Sequence, residues 1–162
     1  MDNLNHNQVK EIVYNSLALT KKNKFLIALS GGIDSTLLLS MLNEISVDNK
    51  YKIKAIHINH NISKDAQAME NHCVNICKQL KIELVIKKIN DEVNSNIEEN
   101  LRNKRYELMF DTMKEDEALL LGHHANDQVE TFLYRLFRGS SPHGLSCMDT
   151  ISYRASKILC RP

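Results

Sequence analysis

The sequence predicts an α/β fold: a doubly wound, mostly parallel sheet with helices on both faces. Apolar runs short enough to be buried strands alternate with longer segments in which apolar residues recur at helical spacing. Strands that alternate with helices build parallel sheets through right-handed crossovers, and the crossing helices cover both faces of the sheet.

The predicted strands and helices follow one another through short connections. In chain order the pattern predicts a helix that contains Val9 and Leu19, a strand over 25–29 (FLIAL), a helix from Asp34, a strand over 51–59 (YKIKAIHIN), a helix from about Ala66, a strand over 82–89 (IELVIKKI), a helix from Ile97 to about Met113, a strand over 117–124 (EALLLGHH) and a helix from Asn126 to Arg138. A flexible loop over 139–144 (GSSPHG) and a strand-like run over 157–162 (KILCRP) complete the sequence.

Composition favours one globular domain in a reducing compartment. Of the 162 residues, 43% are hydrophobic and 25% are charged, and no apolar run reaches the roughly 18 to 20 residues of a membrane span. The first residues lack the pattern of a secretory signal, so we expect a cytoplasmic protein with no membrane partner. We expect free thiols at Cys73, Cys77, Cys147 and Cys160. The net charge of +1 neither requires nor excludes a nucleic acid partner.

The segment Ser30-Gly31-Gly32-Ile33-Asp34-Ser35 follows the first strand directly. It lacks the lysine of the common phosphate loop and the G-x-G-x-x-G dinucleotide fingerprint. Two adjacent glycines before a helix nevertheless make an anion cradle, because backbone amides can approach the ligand closely. The Asp34 carboxylate would repel phosphate unless Mg2+ lies between them, so the segment suits a nucleoside triphosphate with magnesium. The alternative is a plain strand-to-helix turn in which Asp34 caps the helix.

A second polar segment, GHHANDQVE (122–130), follows the fourth predicted strand. Ligands of such sheets bind beyond the carboxyl ends of the strands, so both segments can share one site. Asp127 and Glu130 lie on one side of the predicted helix and suit the ammonium group of a substrate, although an ordinary solvated helix face remains the alternative. His123 and His124 lack the spacing of a zinc pair, and no matching cysteine ligands accompany them.

The string SGGIDS resembles the pyrophosphate-loop signature of the N-type ATP pyrophosphatases. That resemblance implies an adenine nucleotide alpha hydrolase-like, Rossmann-like fold and cleavage of ATP between the α and β phosphates with an adenylated intermediate. It implies that ATP is bound by Ser30, Gly31, Gly32, Ile33, Asp34 and Ser35, with Mg2+ at Asp34.

The segment GHHANDQVETFLYRLFRGSSPHGL, together with IHINHNI, ENLRNKRYELM and the final RP, resembles the tRNA(Ile)-lysidine synthetase family from about Lys24 onward. The resemblance implies adenylation of the carbonyl at position 2 of the wobble cytidine in tRNA(Ile) with a CAU anticodon, after which the amine of free L-lysine displaces AMP. Adenylation explains the use of ATP, since a cytosine carbonyl oxygen is otherwise a poor leaving group.

The same resemblance implies roles for individual residues. Asp34, Arg105, His123 and Asp127 would be catalytic, and Asp127, Glu130 and Arg105 would bind lysine. Arg102, Arg105 and Tyr106 would line the reaction cleft. Arg105 falls on the apolar stripe marked by Ile97, Leu101 and Leu108, so a snorkelling arginine with a surface partner is the alternative. The roles of His57, His60 and His124 stay open.

Members of that family continue well beyond the equivalent of Pro162. We therefore expect residues 1–162 to be a single PP-loop ATP pyrophosphatase domain, truncated at its C-terminal end and without tRNA-binding C-terminal domains. Two alternatives stay open: a tRNA-thiolating enzyme of the same superfamily and a non-catalytic ATP-binding fragment. The C-x-x-x-C pair Cys73 and Cys77 lies on an apolar helical face, which favours core packing over the sulfur chemistry of a thiolase. The assembly state, a homodimer included, is also open.

Overall fold

The computed structural model describes residues 5–60, 64–89, 97–122 and 149–162. The elements are α1 (His6–Leu19), β1 (Lys24–Ala28), α2 (Ile33–Asn49), β2 (Lys52–Asn59), α3 (Ala66–Leu80), β3 (Glu83–Lys88), α4 (Ile97–Thr112), β4 (Glu117–Leu121), β5 (Ile151–Arg154) and β6 (Lys157–Cys160). The predicted helix over 126–138 and the predicted loop over 139–144 lie outside the described residues.

The strands form one sheet in the order β3-β2-β1-β4-β6-β5. All neighbouring strands run parallel except β5 and β6, which are antiparallel. This topology confirms the predicted mostly parallel α/β sheet. The strand order reverses at β1, where Ala28 pairs with Ile56 of β2 on one side and with Leu121 of β4 on the other. Such a reversal opens a crevice at the carboxyl ends of the strands, which is where ligands bind in this class of sheet.

Two hydrophobic clusters, one on each face of the sheet, confirm that helices cover both sides. Because side chains alternate along a strand, Phe25 and Ile27 of β1 join the cluster formed with α1, α2 and α3, whereas Leu26 joins the cluster formed with α4. Tyr106 and Met109 of α4, and Met113 just after the helix, are buried in this second cluster. This face is offset from the predicted stripe, since Leu101 and Leu108 are only half-buried.

Two local features differ from the sequence prediction. Helix α2 begins at Ile33 with Gly32 as its N-cap, so Asp34 lies in the first turn and does not cap the helix. The strand β5 was not predicted; it forms a hairpin with β6 through Ala155 and Ser156, whose φ angles are 49° and 61°. Positive φ at both central residues is the requirement of a tight hairpin turn and usually selects glycine or asparagine.

The three described cysteines, Cys73, Cys77 and Cys160, are free and buried, as expected. Burial raises the pKa of Cys73 and Cys160 to about 12 and that of Cys77 to about 11. These thiols therefore stay protonated near neutral pH and pack as small apolar groups. Among the described elements, no helix combines the length and the apolar character that crossing a bilayer requires.

Candidate nucleotide site

The glycine turn after β1 has a backbone that only glycine accommodates well. Gly31 has φ +90°, in the region that L residues rarely adopt. A Cβ built on Gly31 would lie 2.9 Å from Cβ of Met69 and 3.2 Å from its Cα on α3. The turn is therefore pressed against α3, and the space where a side chain would stand is already filled.

A closed set of hydrogen bonds fixes the shape of the turn. The Gly32 amide donates to Oγ of Ser30 at 3.2 Å, the hydroxyls of Ser30 and Ser35 lie 3.0 Å apart, and Oγ of Ser35 donates to the Gly32 carbonyl at 3.1 Å. The Ser30 amide also donates to Oγ of Ser35 at 3.2 Å. The hydroxyls of Ser30 and Ser35 thus serve the shape of the turn in this structure. Ser35 is buried, with 3% of its surface exposed.

The first turn of α2 faces solvent beside this loop. The first amides of a helix have no partner inside the helix, and the N-cap Gly32 brings no side chain to cap them. Ile33 is 83% exposed and Asp34 is also exposed. Helix N-termini with unobstructed amides bind anions, because the amide dipoles point at the ligand. The geometry therefore offers a place for phosphate oxygens, with the Asp34 carboxylate at its edge.

Helix α3 supports the loop through Met69 and, one turn later, through the adjacent residues His72 and Cys73. Met69 covers Gly31. Nε2 of His72 lies 3.1 Å from Oγ1 of Thr36, which itself donates to the Gly32 carbonyl at 2.9 Å. Sγ of Cys73 lies 3.7 Å from the Leu29 carbonyl oxygen. The N-terminal half of α3 is in turn tied to the strands, because Glu70 accepts from Asn59 at 2.7 Å and pairs with Lys88 at 3.7 Å.

Gly122 brings the end of β4 against the same turn. A Cβ on Gly122 would lie 3.1 Å from Cα and 3.2 Å from the amide nitrogen of Ser35. Gly122 was not among the predicted site residues. Its position could have indicated a role, because Gly122 follows an apolar strand just as Gly31 and Gly32 follow the first strand.

Arg105 and His60 lie on the α4 side of the sheet. Burial, the Arg105 guanidinium and His57 together lower the pKa of His60, with burial the largest cause. Arg105 is half-buried and Arg102 is exposed. Tyr106 belongs to the core, and the guanidinium of Arg154 lies 4.3 Å from its ring centroid. Among the predicted cleft residues on α4, Arg105 places its charge near His60 at the end of β2. Tyr106 instead joins α4 to the hairpin of β5 and β6 through its contact with Arg154.

The chain matches the family model of the PP-loop domain over residues 1–162. The chain belongs to the PP-loop family. This membership implies that the domain uses ATP. We term the glycine turn over 30–35, whose sequence resembles the pyrophosphate-loop signature, the PP loop.

Curated proteins similar to this chain share one name, tRNA(Ile)-lysidine synthase. The chain is 47% identical over 143 residues to the tRNA(Ile)-lysidine synthase of Buchnera aphidicola subsp. Schizaphis graminum (strain Sg), covering 88% of this chain and 32% of that protein. It is 39% identical over 142 residues to the tRNA(Ile)-lysidine synthase of Haemophilus influenzae (strain 86-028NP), covering 85% of this chain and 33% of that protein. The chain thus spans about a third of the length of these relatives.

Solved structures show the same fold at low sequence identity. The U34-tRNA thiolase NcsA of Methanococcus maripaludis matches with a TM-score of 0.65 and 20% identity, over 85% of this chain and 52% of that one. FMN adenylyltransferase of Candida glabrata matches with a TM-score of 0.52 and 16% identity, over 96% of this chain and 49% of that one. At these identities the likeness concerns the fold alone.

The structure brings part of the predicted site together. The six PP-loop residues form the turn and the start of α2, and the charge of Arg105 acts at the end of the neighbouring strand β2. His123, His124, Asp127 and Glu130 lie outside the described residues. Met69, Asn59 and Glu70 were not singled out for the site, because their contacts join segments that are distant in sequence.

Proposed function

We propose that this chain is the ATP-binding part of a tRNA(Ile)-lysidine synthase. It would join lysine to carbon 2 of the wobble cytidine in tRNA(Ile) with a CAU anticodon and release AMP and pyrophosphate. The observation that carries the proposal is the PP loop itself: two glycines at the N-terminus of α2, at the point where the strand order reverses. The tRNA(Ile)-lysidine synthases that resemble the chain supply the substrate class.

The loop suits the β and γ phosphates of ATP. A side chain at Gly31 would meet α3, and the exposed Gly32 leaves its solvent side open for a phosphate oxygen. The amide dipoles of the first turn of α2 would stabilise the negative charge of the leaving pyrophosphate.

Asp34 suits Mg2+ at this position. Its exposed carboxylate lies in the same turn as the amides, so a divalent cation between carboxylate and phosphate would remove their mutual repulsion. Bound there, Mg2+ would supply charge neutralisation for adenylyl transfer.

The reaction would proceed in two displacements. In the first, oxygen 2 of the cytidine attacks the α phosphorus, the bond to the bridging oxygen breaks, and pyrophosphate leaves. In the second, the side-chain amine of lysine attacks carbon 2, AMP departs with that oxygen, and the amine loses a proton. Arg105, His123, Asp127 and Glu130 are the residues we propose for these steps, with Asp127 and Glu130 on the lysine ammonium and Arg105 on a phosphate or on the lysine carboxylate.

Gly122 supports a shared site for the two segments. It is the residue immediately before His123, and it contacts Ser35 in the first turn of α2. The second segment, 122–130, therefore begins at a residue that lies against the PP loop.

A tRNA thiolase is the second candidate in the same family. The burial of Cys73 and Cys77 and their raised pKa values disfavour both as sulfur carriers, because the reactive form of a cysteine is the exposed thiolate. Incubation with sulfide in place of lysine separates the two candidates.

The test uses the full-length product of the reading frame that encodes these residues. With ATP, labelled lysine and a CAU-anticodon tRNA, we expect label in the tRNA together with AMP release. Asp34→Asn should abolish AMP release, and Asp127→Ala should keep tRNA adenylation and weaken the use of lysine. Absence of label with the wild-type protein, or incorporation of sulfur, would contradict the proposal, and equal loss of both half-reactions in Asp127→Ala would contradict the assignment of that residue.

A further inference from the structure

The carbonyl of Leu29 marks the point where the chain leaves β1 and enters the PP loop. On its amide side Leu29 still continues the parallel pairing, donating to the Ile56 carbonyl at 2.9 Å. On its carbonyl side the contacts come from side chains: Nδ1 of His57 lies at 2.8 Å and Sγ of Cys73 at 3.7 Å. The direction of this carbonyl is therefore fixed by β2 and α3 through side chains, within one residue of Ser30.

The hydrogen bond to Leu29 assigns the proton of the His57 ring. A carbonyl oxygen can only accept, so Nδ1 of His57 carries the proton. Sγ of Cys73 on α3 lies 3.4 Å from the same nitrogen, so α3 also contacts the ring of His57.

The other ring nitrogen of His57 makes the position costly for stability. Nε2 is buried without a hydrogen-bond partner among the described residues, in a side chain that is only 3% exposed. A buried acceptor without a partner destabilises the folded state, so an apolar side chain of similar size would serve packing alone at least as well. A histidine at this position is explained if its Nδ1 donor helps to set the shape of the loop, which an apolar side chain could not do.

We propose that His57 is a positioning residue of the PP loop, which acts on ATP through the Leu29 carbonyl. By fixing that carbonyl, it sets the backbone angle at which Ser30 and Gly31 leave the sheet, and so the direction of the amides that follow. His57 touches no phosphate in this arrangement, because its ring is buried beneath the loop. The inference rests on the proposed ATP site and names a residue that the site depends on.

The test compares three substitutions at one position that differ in where they place a hydrogen-bond donor. In His57→Asn the amide nitrogen replaces Nδ1 at the same distance from the backbone and keeps the donor to Leu29. In His57→Gln the amide corresponds to Nε2, and in His57→Leu there is no donor. The full-length protein is titrated with Mg2+ and an ATP analogue that carries a methylene bridge between its α and β phosphates, and urea unfolding of each variant is measured in parallel.

We expect His57→Leu and His57→Gln to weaken binding of the analogue about tenfold, the usual scale for one lost buried hydrogen bond, and His57→Asn to stay near wild type. The urea midpoint of His57→Leu should change little, because removal of the unpaired Nε2 offsets the loss of the Nδ1 hydrogen bond. The control Cys77→Ala, buried one turn further along α3, should lower the urea midpoint and leave binding unchanged.

Equal affinity of His57→Leu and wild type, or equal weakening in His57→Asn and His57→Gln, would overturn the inference. If His57→Leu does not fold, the pair of Asn and Gln variants decides alone. Failure of the wild-type protein to bind the analogue would instead overturn the proposed ATP site, and this inference with it.

Discussion

Substitution of Gly31 by alanine tests the construction of the loop most severely. An L residue at φ +90° costs about 1–2 kcal/mol. The new Cβ would also lie 2.9 Å from Cβ and 3.2 Å from both Cα and the carbonyl oxygen of Met69, so the backbone of α3 would have to move, and overpacking of this kind costs about 1–3 kcal/mol. We therefore expect Gly31→Ala to lower the free energy of unfolding by about 3 kcal/mol, which is about 6–12 °C in Tm for a domain of this size.

Gly32→Ala is the matched control for Gly31→Ala. At Gly32 the φ angle is −81° and the nearest atom to a built Cβ is Oγ of Ser30 at 3.4 Å, an ordinary contact. We expect the free energy of unfolding to fall by less than about 1 kcal/mol, which is the usual cost of alanine at an N-cap position. Binding of ATP should weaken, because the added methyl group lies on the exposed side of the loop. Urea unfolding and calorimetric titration measure both quantities, and equal stability of the two variants would refute the reasoning about Gly31.

Three further predictions concern packing, helix ends and thiols. Gly122→Ala should lower Tm in differential scanning calorimetry, because the added Cβ would lie 3.1 Å from backbone atoms of Ser35; an unchanged Tm would contradict the contact. Lys50→Gly should raise the free energy of unfolding by about 0.5–1 kcal/mol, since Lys50 ends α2 with φ 55°, and a lower urea midpoint would contradict it. Peptides that contain Cys73, Cys77 or Cys160 should resist iodoacetamide at pH 9 in the native protein and react in urea, and rapid labelling of the native protein would contradict their burial. Because the folded protein holds these thiol protons more tightly than the unfolded chain does, the free energy of unfolding should also fall as the pH rises from 9 towards 11.

The alternation of apolar strands and helices predicted the eight elements from α1 to β4, apart from their exact ends. This part of the fold depends on periodicity, which a sequence displays directly. The hairpin of β5 and β6 was missed in part, because its turn uses Ala155 and Ser156 where glycine or asparagine would have marked it. The buried face of α4 was misplaced because Tyr106, which carries a polar group, lies in the core beneath Arg154.

The sequence predicted the part of the candidate site that residues adjacent in the chain form. It did not predict the contacts between residues that are distant in the chain. The glycine pair, Asp34 and the start of α2 stand together in the sequence, so the loop could be predicted from the string SGGIDS. The bond from His57 to Leu29 joins residues 28 positions apart, and the contact of Cys73 with the same carbonyl spans 44 positions. Such contacts follow from the pairing of β1 with β2 and the packing of α3, and no local pattern displays them.

The position of the nucleotide phosphates tests the central claim most directly. A crystal structure of the full-length protein with Mg2+ and the methylene-bridged ATP analogue should show the β and γ phosphates against the amides of the PP loop and the first turn of α2, with the metal ion beside Asp34. Phosphates bound at any other edge of the sheet, with the loop turned away from them, would contradict the account.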